Sequence, residues 1–157
     1  MACSDLFSTG MASIDKLMRG EELNTWHDNV KMWPSFFSRM EVIANRHTPS
    51  HRDGQGGPAC YDFLVSAGRH SNAWLDLPDI DARLSYDPCT VVALCGKILR
   101  HGVDPNWTGE RLCIAHFIRD NVHNRLKLER PPWVSHNSYL SFMDNGFCSR
   151  QSVAVDN

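Results

Sequence analysis

Apolar positions along this chain come mostly in short runs broken by Gly, Pro, Asp and Asn, the rhythm of strands and turns. From Met40, Met40, Val42 and Ala44 alternate with Glu41, Ile43 and Asn45, and β-branched residues sit in the run. Tyr61 to Ala67 reads as a strand stopped by Gly68, Ala73 to Leu77 as another ended by Pro78, and Ala82 to Tyr86 as a third. Asp87-Pro88 turns the chain into Thr90–Leu94, and Gly96 breaks that pattern before a strand over Lys97–His101. The cluster Asp104-Pro105-Asn106-Trp107-Thr108-Gly109 is a turn, so the strand ending in His101 is expected to fold back beside one beginning near Arg111.

Helical spacing shows only at the ends. Met11, Ile14, Leu17 and Met18 predict one short amphipathic helix with Ser13 as a candidate cap, and the opening Ser/Gly-rich residues are expected to lack structure. Trp26, Trp33, Phe36 and Phe37 around Pro34 are expected to pack a helix or turn against the sheet. A terminal helix over Val122–Leu128 is expected to end at Pro131-Pro132-Trp133, with a disordered tail beyond Phe147. Many short strands and few helices indicate a sandwich or barrel.

At 157 residues the chain suits one domain with a core of its own: a helical or flexible part over 1–39, a β core over 40–128 and a tail over 129–157. Six cysteines (Cys3, Cys60, Cys89, Cys95, Cys113, Cys148) form no C-x-x-C pair, which leaves a zinc ribbon or dithiol redox motif unsupported and suggests reduced, mostly buried thiols. No secretory pattern opens the chain and no apolar run has the length of a membrane span, so an intracellular protein is expected. A net charge of -2 argues against binding nucleic acid chiefly by neutralising many phosphates, and the cluster Arg125, Lys127, Arg130 reads as a solvated face.

Candidate chemistry centres on His51-Arg52-Asp53. In an extended segment His51 and Asp53 project the same way while Arg52 points elsewhere, so an imidazole and a carboxylate can grip one ion. They form two corners of a 2-His-1-carboxylate facial triad for Fe(II), with His101 as the third. A His-x-Asp triplet alone is more often a turn or a surface pair. The signal lies in the order of parts: strand, triplet, distal His, then Arg111. Along the last strand Arg111, Cys113, Ala115, Phe117 and Arg119 share a face. A buried arginine there calls for an anion, either a bound carboxylate held by its planar fork or an internal Asp or Glu.

With these parts in this order the chain resembles the Fe(II)/2-oxoglutarate dioxygenases, whose fold is a double-stranded β-helix, a cupin-like jelly roll, over residues of about 40 to 128. The stretches NRHTPSHRD, YDFLVSAG, GKILRHGV and GERLCIAHFIRDNVHNRL look most like the short fungal members of the TET/JBP group, which oxidises the methyl of 5-methylcytosine or thymine in nucleic acid. The resemblance implies a mainly β core with flanking helices, with His51, Asp53 and His101 on Fe(II) and Arg111 on the distal carboxylate of 2-oxoglutarate. Cys113 stands where the animal enzymes have a serine that helps this arginine. Phe117 matches an aromatic that stacks on the target base, Arg119 replaces a histidine, and Gly56 falls where an asparagine touches the cytosine. O2 as co-substrate, DNA carrying 5-methylcytosine as partner, a nuclear or otherwise intracellular setting and a monomeric state follow as expectations. Pro88-Cys89-Thr90 departs from the Pro-Gly-Thr turn usual in the wider superfamily. Two other readings stay open: the same iron chemistry on a protein side chain, N-alkylated base or small molecule, or a non-catalytic metal-binding β-helix.

Overall fold

The computed structural model describes residues 2–19 (side chains from Leu6 onward), 32–33 and 35–130. Trp26, Pro34, Pro131-Pro132-Trp133 and the tail beyond Phe147 lie outside the described residues. Eight strands follow an opening helix: α1 (Ala2–Arg19), β1 (Arg39–Ala44), β2 (Thr48–His51), β3 (Asp62–Ser71), β4 (Trp74–Leu77), β5 (Ala82–Ser85), β6 (Val91–Leu94), β7 (His101–Val103) and β8 (Thr108–Phe117), then α2 (Asp120–Leu126). They form two four-stranded antiparallel sheets, ordered β1-β8-β3-β6 and β2-β7-β4-β5. The fold is mainly β with flanking helices, and its two facing sheets suit a jelly roll.

The alternation seen in the sequence sets the core. Leu64, Leu94, Cys113, Ala115 and Phe117 of the first sheet meet Leu75, Leu77 and Val103 of the second, with Tyr86 between them. The longest ladder, β3 on β8, runs from Phe63↔His116 to Ser71↔Thr108 and carries Arg111 in its middle. Gly68 does not stop β3; it pairs with Arg111 at φ +101°, and a Cβ there would sit 2.3 Å from the Glu110 carbonyl oxygen. Only glycine enters that backbone region at such close approach without strain.

Further expectations need correction. The segment Lys97–Arg100 is not strand: the Ile98 and Leu99 amides donate to the Cys95 carbonyl in a turn, and His101 opens β7 rather than closing a strand. β7 and β8 are not sheet neighbours, because the turn after Val103 crosses from the second sheet to the first; Asp104 accepts from the Asn106 amide at 2.9 Å within it. The opening residues are helical from Ala2, and Ser13 is no cap. It lies buried in mid-helix, donating to the Thr9 carbonyl at 3.0 Å and facing His123 of α2. The buried line of α1 is Leu6, Gly10 and Ser13 while Met11 is exposed, since a Cβ at Gly10 would sit 2.4 Å from the Phe36 carbonyl oxygen. As expected, Phe37 packs inward, joining Leu6, Cys60 and Ile118 in a second apolar cluster beside Phe36 and Phe63.

Candidate active site

The two histidines are joined by register. His51 ends β2 and His101 opens β7, and the two are direct cross-strand partners, which sends both rings to one side at 4.5 Å between centroids. Gly102 permits this approach, since a Cβ on it would stand 2.9 Å from Ser50. Asp53 lies beyond the end of β2, so strand alternation does not orient it. Its amide donates to the Gly96 carbonyl at 2.8 Å, and that contact brings its carboxylate between the rings, 3.6 Å from His51 Nε2 and 3.8 Å from His101 Nε2. One donor atom from each of the three residues falls within 4.8 Å of the others, so the triplet and the distal histidine do converge. Arg52 turns away onto the Ile98 carbonyl and Asp79.

Both rings have their tautomer set. His51 Nδ1 lies 2.9 Å from the Pro49 carbonyl oxygen and His101 Nδ1 lies 3.1 Å from that of Leu99, so each Nδ1–H donates to backbone and each Nε2 turns a lone pair toward Asp53. Burial holds the pKa of His101 below its ordinary value, which favours the neutral form a metal requires. Behind Asp53 stands Asp62, buried, with one carboxylate oxygen accepting from the Gly96 amide at 3.2 Å and the other without a partner among the described residues. Burial first and the Asp53 charge second push its pKa up to about 7. Gly96 is wedged between the two carboxylates: a Cβ would sit 2.3 Å from Asp53 Oδ2 and 2.6 Å from Asp62 Oδ2.

Arg111 faces the same cleft from the other sheet, and only 1% of it is exposed. Its guanidinium lies over the Tyr86 ring at 5.2 Å and the Trp107 ring at 5.5 Å. Among the described residues no carboxylate pairs with it; besides its interaction with the Tyr86 hydroxyl it makes a long 3.5 Å contact to the Arg46 carbonyl, and Nε has no partner. A cation so buried, with no acidic partner among the described residues, suits a bound carboxylate. The histidine and carboxylate donors suit iron, and the unpaired guanidinium suits the far end of a dicarboxylate. Cys113 Sγ does not reach this arginine as a donor in its own right; it contacts the Tyr86 hydroxyl at 3.4 Å.

A cleft of about 170 Å3 runs from Arg111 past the three candidate ligands to Phe117, Arg119 and Glu41. Phe117 is buried and carries the Arg119 guanidinium over its ring, 4.7 Å from the centroid. Gly56 bridges to Arg119 but does not line the cleft. Tyr86, Trp107, Asp62, Gly96 and Glu41 were missed as site residues in the sequence. A tyrosine closing one short strand and a glycine breaking another were visible there, but their meaning depends on which sheet faces which.

Residues 19–120 match the Tet/JBP family profile, described as the oxygenase domain of the 2OGFeDO superfamily. Among solved structures, NgTET1 in complex with 5mC DNA is similar in fold, with a TM-score of 0.53 and 16% sequence identity. The match covers 78% of this chain and 47% of that one, so the chain spans about half the length of its structural relative. Among curated proteins there is no match.

Proposed function

Since the chain belongs to the Tet/JBP oxygenase domains of the 2OGFeDO superfamily, we propose that it is an Fe(II)/2-oxoglutarate dioxygenase that oxidises the methyl of 5-methylcytosine, or of thymine, in nucleic acid. The observation that carries this reading is the convergence of His51, Asp53 and His101 beside an arginine whose buried Nε lacks a partner.

On this reading His51, Asp53 and His101 hold the iron, and Arg111 takes the distal carboxylate of 2-oxoglutarate. Bound there with O2, iron and 2-oxoglutarate supply oxidation of an unactivated C–H bond, the cosubstrate leaving as succinate and CO2. The chain's own contribution is placement. The Pro49 and Leu99 carbonyls keep each Nε2 free to ligate, and the Gly96 carbonyl anchors Asp53. Tyr86 and Trp107 wall the arginine from water, which strengthens its hold on a carboxylate. Cys113 supports that arginine only through Tyr86.

A base must leave its stack to reach this cleft, and Phe117 offers an aromatic surface against which it can lie. The exposed Arg46, which lines the cleft, suits a flanking phosphate despite the net charge of -2. Work on DNA would set the protein in the nucleus or wherever its DNA lies.

The test is to incubate methylated DNA with the protein, Fe(II), ascorbate and 2-oxoglutarate and analyse the nucleosides by liquid chromatography and mass spectrometry. Oxidised 5-methylcytosine is expected from the wild type and none from Asp53→Ala. Product formed equally by Asp53→Ala would unseat the metal assignment. Succinate release driven only by a protein or small molecule would move the chemistry to another substrate.

A further inference from the structure

The sheet β1-β8-β3-β6 has a second face, turned away from the cleft, that is apolar from one edge strand to the other. Alternation along β8 sends Arg111, Cys113, Ala115 and Phe117 inward, so the residues between them face out. Register then aligns Val42, Ile114, Val65 and Val91 in one row across all four strands, with Leu112 and Ala67 in the next. Val42 is 64% exposed, Val91 59% and Leu112 37%. Phe37 closes one end of the face against Phe63 and His116. At the other end Arg69 and Glu110 are exposed cross-strand neighbours of opposite charge, yet among the described residues no ion pair joins them or takes up either one. A bare apolar patch of several hundred Å2 commonly marks an interaction surface.

We infer that this face is the contact between two copies of the chain, in place of the monomer expected from the resemblance. The occupant follows from shape and charge. The row of Val and Ile side chains runs about 19 Å across the four strands, whereas one helix is only about 10–12 Å thick; a second sheet face matches that width, packed about 10 Å away. A two-fold axis along the strands, between β8 and β3, lays β3 of one copy over β8 of its partner and β1 over β6. Each Arg69 then meets the partner's Glu110, and the row of Val and Ile meets its own reverse. Moving the axis onto β3 would set Arg69 against itself, so charge fixes the register. Two faces of roughly 19 Å by 20 Å cover on the order of 800 Å2 in flat projection, and more once side-chain relief is counted. That is near the small end of specific interfaces, so the dimer should be reversible, with a dissociation constant on the order of micromolar. Both clefts stay open, because β8 presents Arg111 and Phe117 to the opposite side.

The experiment is sedimentation velocity of the full 157-residue chain, without added metal or cosubstrate, over a range of about 1 to 200 µM. The mass should move from one chain toward two as concentration rises. Val42→Lys places a charge at an exposed edge-strand position that the fold tolerates, so the far-UV circular dichroism spectrum should stay unchanged while association weakens at least about tenfold. Arg69→Glu and Glu110→Arg should each weaken association by a similar factor. Together they should restore it toward the wild-type value, since the exchanged charges meet again across the axis. A single-chain mass at the highest concentration overturns the inference and leaves the face to another segment or another protein. A dimer indifferent to Val42→Lys, a double exchange no tighter than either single one, or growth into aggregates that do not stop at two copies overturns it as well.

Discussion

Gly96 shows how a residue without chemistry of its own governs a site. It lies where the Asp53 and Asp62 carboxylates crowd one another; its carbonyl accepts from the Asp53 backbone amide and its own amide donates to the Asp62 carboxylate. In Gly96→Ala the new methyl would sit inside contact distance of both. Affinity for Mn(II), a redox-stable stand-in for iron, should fall on the order of tenfold or more in a calorimetric titration, as for other losses of support behind a ligand. Cys89 is a second such position. It adopts φ +72° at the Pro88-Cys89-Thr90 corner, where glycine is usual in the wider superfamily. A side chain there costs about 1 kcal/mol relative to glycine, so Cys89→Gly should raise stability by roughly that amount in urea unfolding. Of the described thiols expected to be mostly buried, Cys60 and Cys113 are, Cys95 is half-buried and Cys89 is exposed.

At the scale of elements, α1 and α2 meet through a polar contact, Ser13 on α1 against His123 on α2 at 3.4 Å. Burial, then the nearby Arg130 charge, keeps His123 below the ordinary histidine pKa. The unfolded chain takes up that proton near pH 6.5 while the folded chain refuses it until lower pH. Stability is therefore complete above about pH 6.5 and declines as pH drops toward the folded pKa. His123→Gln should flatten this decline, checked by denaturant melts of wild type and variant at pH 7.5 and 5. The strand assignments from alternation carried over for β1, β3, β4, β5, β6 and β8, because a half-buried strand must alternate to keep one face in the core. They failed at Lys97–Arg100, whose apolar Ile98 and Leu99 resemble strand residues but coil onto the Cys95 carbonyl.

For the molecule as a whole, the candidate metal ligands hang on the sheet β2-β7-β4-β5 or the loop after it, whereas Arg111 belongs to the sheet β1-β8-β3-β6. A dicarboxylate held at both ends would tie the two sheets together. Mn(II) alone should raise the melting temperature modestly, and Mn(II) with 2-oxoglutarate should raise it further. At 100 times the dissociation constant a ligand adds about 2.7 kcal/mol, roughly 5–10 °C for a chain of this size. Arg111→Met should retain the metal increment and lose the second, as differential scanning fluorimetry would show.

The candidate metal ligands and Arg111 were legible in the sequence, since a His-x-Asp triplet, a distal histidine and an arginine on an inward face are local patterns of residue type and period. The mainly β class was legible for the same reason: alternation is a property of neighbours along the chain. What the tertiary structure decided is the company those residues keep. That His51 and His101 face each other across a ladder, that β7 and β8 belong to opposite sheets, that Tyr86 and Trp107 enclose Arg111 and that Glu41 stands beside Arg119 all depend on pairings between distant segments. Register and sheet order are settled by the packing of the whole core, and no local period encodes them.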